Sequence, residues 1–383
     1  MQNAIKLGQI RGIEIGVHYS WLLIFGLLTW SLAQGFFPAN YPGWEATTYW
    51  VAGALSALAL FMSVLAHELT HSIVAQSRGL PVHSITLFIF GGVSNLQDEP
   101  ASARDEFLIA IVGPLSSFVL AAAFWGGRLA AGADDSPLAA GFTYLATVNA
   151  LLAGFNLLPG FPLDGGRVLR SIIWGATGSL RRATEIASYV GQGIGWLMIF
   201  WGVSQALGGA LLNGLWIAFL GWFLNGAAES NRQAQALKES LRGVRVAQLM
   251  DPQPALAGPD TFVQEFVYRY VIQQGRRSLL VVEDGRLLGL VSITDAKDLP
   301  QTEWAATPVA RIMTPVPLKT VARDSELTDA LRLLVAGSLN QLPVVDDGRL
   351  VGLLTRADVL RFLQLRQELH LERMPGERSQ ATA

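Results

Sequence analysis

The sequence predicts a polytopic α-helical membrane domain of about six spans with a small membrane-associated β segment, followed by a cytosolic α/β repeat pair. Three observations predict it. Charge is uneven: residues 1–228 hold 9 Lys+Arg and 11 Asp+Glu, residues 229–383 hold 19 and 19, and the net charge of the 383-residue chain is only −2. The first density suits helices that face lipid, the second suits ordinary soluble protein. Apolar runs of spanning length recur through the first part. A block beginning at Val246 recurs 63 residues later.

Residues 1–16 are short and mildly basic (Lys6, Arg11). The first span is 18–37. A cleaved signal peptide is the alternative, although the apolar stretch is long for one and lacks a small-x-small cleavage site. A loop over 38–48 leads to the second span, 51–76, which stops at Arg78, Gly79 and Pro81: a cation, then Gly, then Pro. Residues 82–96 are too few to cross as a helix. Ile85, Leu87 and Ile89 alternate with Thr86, Phe88 and Phe90 before Gly91-Gly92, which predicts a short β-hairpin or re-entrant segment. Bare strand edges are costly in lipid, so this segment must lie against protein or a wet cavity. Further spans are expected at 106–131, 142–158, about 184–207, and 210–227. Gly191, Gly193 and Gly195 suit close helix contact in the fifth. With the N-terminus inside, the inner segments carry Lys6, Arg11, Arg78, Arg104, Arg167, Arg170, Arg181 and Arg182, and the outer loops carry only Arg128. That asymmetry predicts a multi-pass cell-membrane protein with its N-terminus and C-terminal half in the cytoplasm.

The second span ends in His67-Glu68-Leu69-Thr70-His71. Positions i and i+4 share a helix face, so both imidazoles can reach one metal ion, and Glu68 is placed to handle a water rather than the metal. Zinc in such a site brings the pKa of its water to about 7, and a nearby carboxylate can take the proton and deliver it to a leaving amine. The bland reading is a chance five-residue match, but ionisable groups at membrane depth are functional by default. Two histidines need another ligand. Of the other histidines, His18 opens the first span, His83 falls on the expected strand and His370 lies in the tail. Asp164 follows a fourth helix that Pro159 and Pro162 break, and Gly165-Gly166 allows a tight turn. A helix-capping Asp is the bland reading. Beside the histidines, a His₂Asp zinc site with one open position is the reading adopted.

These two motifs, the H-E-L-T-H run and N-L-L-P-G-F-P-L-D-G-G from Asn156 to Gly166, resemble the site-2 protease family of intramembrane zinc metalloproteases over roughly residues 1–228. The resemblance implies one zinc per chain held by His67, His71 and Asp164, with Glu68 as catalytic base. It implies that Asn156 positions substrate or stabilises the oxyanion, as a neutral amide donor can. Gly113-Pro114-Leu115-Ser116-Ser117 resembles the family's small-residue motif on the next helix, with helix packing as the equal alternative. The implied reaction is hydrolysis of a peptide bond in a transmembrane substrate. A helix hides its carbonyls, so the substrate must unwind, and strand 82–96 could receive it by β-augmentation.

The repeat spans 244–363. Val246–Pro252 and Val309–Pro315 match, as do Val281–Leu287 and Val344–Leu350, then Gly289 with Gly352 and Asp295 with Asp358, all at an offset of 63. Each unit reads as helix, two short strands joined by a D-G turn (Asp284-Gly285, Asp347-Gly348), then helix. This resembles a tandem pair of CBS domains, which implies an adenine nucleotide bound between the repeats through Ser292 and Asp295, and Thr355 and Asp358. Helix capping is the alternative role for each Asp, and Pro300 should cut the first repeat's last helix to about one turn. The expected organisation is a metalloprotease domain at 1–228, a linker at 229–243, repeats at 244–303 and 304–368, and a flexible tail at 369–383. The repeat pair is also a candidate homodimer surface.

The chain carries no basic tract, so nucleic acid is not an expected partner. With no cysteine, disulfides and thiolate ligands are excluded. The partners expected are a transmembrane protein substrate and the bilayer. A CBS-regulated transporter and a catalytically silent membrane-protein binder are the rival readings.

Overall fold

Two apolar alternations, Ile13/Ile15/Val17 and Ile85/Leu87, turn out to face one core. In the computed structural model the chain is described over residues 4–88, 91–96, 99–132, 135–241, 243–337, 339–346 and 348–368. Ile89, Phe90, Asp347, His370 and the tail 369–383 lie outside these. The chain divides into two units, Met1–Gln235 and Ala236–Ala383.

In the first unit, β1 (Ala4–Ile10) and β2 (Ile13–His18) form an antiparallel hairpin where the sequence had suggested only a basic leader to the first span. Its turn residues Arg11 and Gly12 both have positive φ, 51° and 79°, the geometry that matches strand twist in a two-residue loop. Lys6 pairs with Glu14 at 2.8 Å and holds that carboxyl below its ordinary range. β2 then runs parallel to β3 (Val82–Phe88), which pairs antiparallel with β4 (Gly91–Leu96). The expected hairpin at 82–96 is therefore half of a four-stranded sheet, ordered β1-β2-β3-β4. Its buried face (Ile13, Ile15, Val17, Ile85, Leu87) packs with Leu65, Ala75 and Ile109.

Among the described residues, six helices are long and apolar enough to cross a membrane. α1 spans Ser20–Asn40, α2 Ala46–Ser77, α3 Ala103–Ala130, α4 Pro137–Asn156 and α6 Leu180–Leu207. α7 (Leu211–Leu241) qualifies over Leu211–Gln235. The short α5 (Asp164–Thr177) lies between α4 and α6. α7 stays helical to Leu241, through most of the stretch expected as a linker.

α5 is tied to α3 by a buried ion pair. Arg170 donates through Nε and Nη2 to Glu106 Oε1, the former at 2.7 Å, and Arg167 Nε lies 3.9 Å from the same oxygen. Glu106 is fully buried and Arg170 stacks on Phe161 at 5.1 Å. Losing one partner would strand a buried charge, a loss on the order of 3–5 kcal/mol. These two arginines, counted above as orientation signals, thus hold helices together.

The fifth and sixth spans meet backbone to backbone. A Cβ on Gly195 would lie 2.8 Å from Gly221 O, and one on Gly202 2.4 Å from Ala218 N. Gly191 instead seats the Phe161 carbonyl, and Gly193 faces open space, so only two of the three expected glycines make close contacts.

In the second unit the repeats exchange segments. β5 (Leu256–Ala257), β6 (Ser278–Glu283), β7 (Arg286–Ser292) and β8 (Thr314–Pro315) form one sheet, β9 (Gln341–Asp346) and β10 (Arg349–Thr355) another. β8, from the second repeat, pairs with β7 of the first, and Asp251 of the first bridges to Leu353 of β10. The matched methionines and glycines now have a reason: a Cβ on Gly289 would strike Met313 Sδ at 2.8 Å, and one on Gly352 would strike Met250 Sδ at 2.8 Å. α8 (Val263–Glu265) leads into a π-helical turn, α9 (Ile293–Lys297) is the short helix expected before Pro300, and α10 (Leu327–Ala336) and α11 (Arg356–Glu368) complete the second repeat.

Gly202→Ala should lower the melting temperature of the detergent-solubilised protein, since overpacking costs about 1–3 kcal/mol. Gly193→Ala should leave it unchanged; equal melting of both variants would contradict this packing.

Candidate metal centre

The apolar residues 51–66 carry α2 to His67 and His71, one turn apart on one face. Both imidazoles are buried, at 4% and 5% exposure. Asp164, the first residue of α5, meets them: its Oδ2 lies 3.1 Å from His67 Nε2 and 3.2 Å from His71 Nε2, and the two Nε2 atoms are 3.1 Å apart.

His71 Nδ1 lies 2.6 Å from the Ile109 carbonyl oxygen, which can only accept, so Nδ1 carries the proton. In a neutral ring its Nε2 is then a bare lone pair. His67 Nδ1 is engaged by the Ser117 hydroxyl at 2.9 Å, which leaves that ring's Nε2 toward the same point. Two ring nitrogens and a carboxylate oxygen so converged can be joined by a proton on His67 Nε2 or by one metal ion bound to all three. Zinc bonds of about 2.0–2.1 Å at tetrahedral angles put neighbouring donors roughly 3.3 Å apart, close to the spacing found. The donor set and its spacing fit zinc, and among the described residues this is the one His/Asp/Glu trio arranged for a metal.

Close backbone approach makes the convergence feasible. A Cβ on Gly113 would lie 2.0 Å from His71 Nε2 and 2.7 Å from His67 Nε2. Gly113 and Ser117, one turn apart on α3, therefore lie against the two rings, beyond the helix packing that was one reading of their motif. Gly165 and Gly166 lie in the first turn of α5, not in a separate turn as expected. Cβ atoms there would fall 2.3 Å from Leu157 O and 2.3 Å from Gly160 C, so their bareness lets loop 157–161 lie on the helix that presents Asp164.

Glu68 is not one of the trio and reaches β4, where Ser94 Oγ donates to its Oε2 at 2.8 Å. Asn156, the last residue of α4, is half-buried and makes no side-chain hydrogen bond among the described residues. His18 lies 2.8 Å from the Ser20 hydroxyl at the start of α1, and His83 is exposed; neither belongs to the trio. Sequence reasoning missed Ser94 and the Glu106–Arg170 pair, which carry no local signal.

In the second unit, Ser292 donates through N and Oγ to Asp295 Oδ2 at 2.7 and 2.8 Å, and Thr355 does the same to Asp358 at 3.0 and 2.6 Å. Each pair closes the first turn of α9 or α11, so the capping role is present in the structure. Ser278 donates to Gln341 at 2.5 Å, a bond between positions 63 residues apart and so equivalent in the two repeats.

Comparison with known proteins adds the following. The model of peptidase family M50 matches residues 55–133 and 131–198, and that of the CBS domain matches 246–300 and 309–365. A Mycobacterium tuberculosis protein named as the zinc metalloprotease Rip3 is 37% identical over 372 residues, 95% of this chain and 94% of the relative. A Synechocystis protein named as the zinc metalloprotease sll0528 is 38% identical over 371 residues, 95% and 96% of the two chains. The solved site-2 protease of Methanocaldococcus jannaschii is 28% identical and aligns with 60% of this chain and 95% of its own, at a TM-score of 0.40.

Ser117→Ala should fold normally and bind zinc about 10–100-fold more weakly, the usual cost of losing a group that orients a ligand. Gly113→Ala should bind weaker still, and Gly126→Ala, which meets open space on the same helix, should bind as wild type. Competition with a chromophoric chelator reads all three, and equal affinities would contradict the packing around the rings.

Proposed function

The chain belongs to peptidase family M50 and is a zinc metalloprotease with a tandem pair of CBS domains, and from that premise we propose that it cleaves peptide bonds within transmembrane segments of other proteins. The carrying observation is the buried convergence of His67, His71 and Asp164 beside Glu68. In this reading the trio holds zinc. Zinc there supplies acidification of a water and polarisation of the scissile carbonyl.

The remaining work falls to the chain. Glu68 Oε1, which has no donor among the described residues, accepts a proton from the attacking water. A carbon–oxygen bond forms as the carbonyl π bond opens. The carbon–nitrogen bond then breaks, and Glu68 returns the proton to the departing amine. The Asn156 amide, which makes no side-chain hydrogen bond among the described residues, is available to a substrate oxygen. Ser117 and the Ile109 carbonyl keep the two rings oriented.

The substrate must arrive extended, and β4 is an edge of its sheet. An unwound segment laid along β4 would satisfy its own backbone groups beside Glu68. The regulatory part of the reading assigns an adenine nucleotide to the CBS pair, with the N-terminus and that pair on the cytoplasmic side. Its supports are the two-repeat organisation and the positive-inside asymmetry. Asp295 and Asp358 each engage only Oδ2 in capping, which leaves Oδ1 for a ribose or phosphate contact.

The protease reading is tested on a panel of single-span peptides bearing fluorophore–quencher pairs in vesicles. Wild type should cleave members of the panel. Glu68→Gln should retain one zinc and lose at least about 100-fold in rate, in line with general acid–base catalysis. A photoreactive residue in the peptide should crosslink that variant at Gly91–Leu96. Full activity without Glu68 would refute the base assignment, and crosslinks confined elsewhere would remove the strand from the reading.

Trypsin should digest the CBS pair in inside-out vesicles only, and millimolar AMP or ATP should slow the digestion. Cleavage of the pair in sealed right-side-out vesicles contradicts the topology, and digestion indifferent to both nucleotides contradicts the effector.

A further inference from the structure

Strand β4 lies directly on the Glu68 side chain. A Cβ on Gly92 would come within 2.5 Å of Glu68 Cγ and 3.2 Å of its Cδ, so the strand's backbone is in contact with the carboxylate's stem. Two residues on, Ser94 donates its hydroxyl to Oε2 at 2.8 Å. Ser72, one turn beyond Glu68 on the same face of α2 and fully buried, donates to the Ser94 oxygen at 3.3 Å. Three side chains from two elements thus form one directed chain of donors, Ser72 to Ser94 to Glu68.

A glutamate has three rotatable side-chain bonds, and a metalloprotease base must present one oxygen to a water. Ser72 donates to one of the two lone pairs of the Ser94 oxygen, and the Glu68 carboxylate can only accept, so the Ser94 proton points at Glu68. Oε2 is engaged by Ser94, and Oε1 has no donor among the described residues. The Gly92 backbone limits the swing of the side chain on one side.

Resting on the reading of Glu68 as the base, we propose that Ser94 is a positioning residue which selects Oε1 as the proton-carrying oxygen, with Ser72 orienting Ser94 and Gly92 fixing the height of the strand above the carboxylate. Because Ser94 is part of edge strand β4, the element that positions the base is also the element on which an extended substrate would pair. Seating the substrate and aligning the carboxylate then depend on one strand. A misplacement of a catalytic group by about 1 Å costs on the order of 100-fold in rate, which sets the scale of the effect expected from losing the hydroxyl.

The test compares Ser94→Ala, Ser94→Val and Ser94→Thr in the full-length protein, against whichever panel peptide wild type cleaves best. Thr and Val have the same shape, and only Thr keeps the hydroxyl. Ala and Val should lower kcat about 10- to 100-fold with KM within about twofold, and Thr should return kcat to within about threefold of wild type. Zinc stoichiometry and melting temperature should match wild type in all three. Ser72→Ala should produce a smaller loss in kcat of the same kind. If Val and Thr are equally active, or if KM rather than kcat changes, the positioning role is wrong. Glu68→Gln, run alongside, separates the two claims. Its inactivity with an unaffected Ser94→Ala overturns only the Ser94 assignment, whereas its full activity, or a wild type that cleaves no peptide, overturns the protease reading beneath it.

Discussion

Three potential metal-ligand atoms meeting in a buried place is the constraint from which the rest of the first unit follows. His67 Nε2, His71 Nε2 and Asp164 Oδ2 are mutually 3.1–3.2 Å apart, although Asp164 is nearly a hundred residues from the histidines. The fold holds this grouping from several sides. Gly113 removes the atom that would push the rings away. Gly165 and Gly166 let the broken end of α4 lie on α5. The buried Glu106–Arg170 pair anchors α5 to α3, the helix that also carries Gly113 and Ser117. A metal held there would bridge α2 and α5, both packed on α3, so metal affinity and the packing of the three helices are expected to be coupled.

Much of this centre was legible because it is written in short-range chemistry. Two histidines four apart must share a helix face, and Pro-x-x-Pro followed by Asp-Gly-Gly must break a helix and present a carboxylate. The position of Ser94 was not legible: its bond to Glu68 joins residues 26 apart through a strand whose register depends on the whole sheet. The N-terminal hairpin was missed for a related reason. Ile13, Ile15 and Val17 have the two-residue period of a strand, but a basic start before an apolar run reads first as the approach to a span. The parallel pairing of β2 with β3 is a contact made across 70 residues. Charge counting, which took Arg167 and Arg170 as orientation signals, gave no hint that both also lie against a buried glutamate.

The second unit shows the reverse balance. Its duplication was plain from the 63-residue offset, yet the reason for the repeated Met and Gly lay in neither repeat alone. Each glycine accommodates the methionine of the other repeat, through segments exchanged between two sheets. The two capping pairs, Ser292 with Asp295 and Thr355 with Asp358, explain those residues in structural terms through one oxygen of each Asp.

Zinc K-edge X-ray absorption of the purified chain and of Asp164→Asn tests the central claim most directly. The account predicts two imidazole nitrogens and a carboxylate oxygen at about 2.0–2.1 Å in the wild type, with the oxygen shell altered or the metal lost in the variant. Zinc bound through a different number of imidazoles, or a spectrum indifferent to Asp164→Asn, would contradict it.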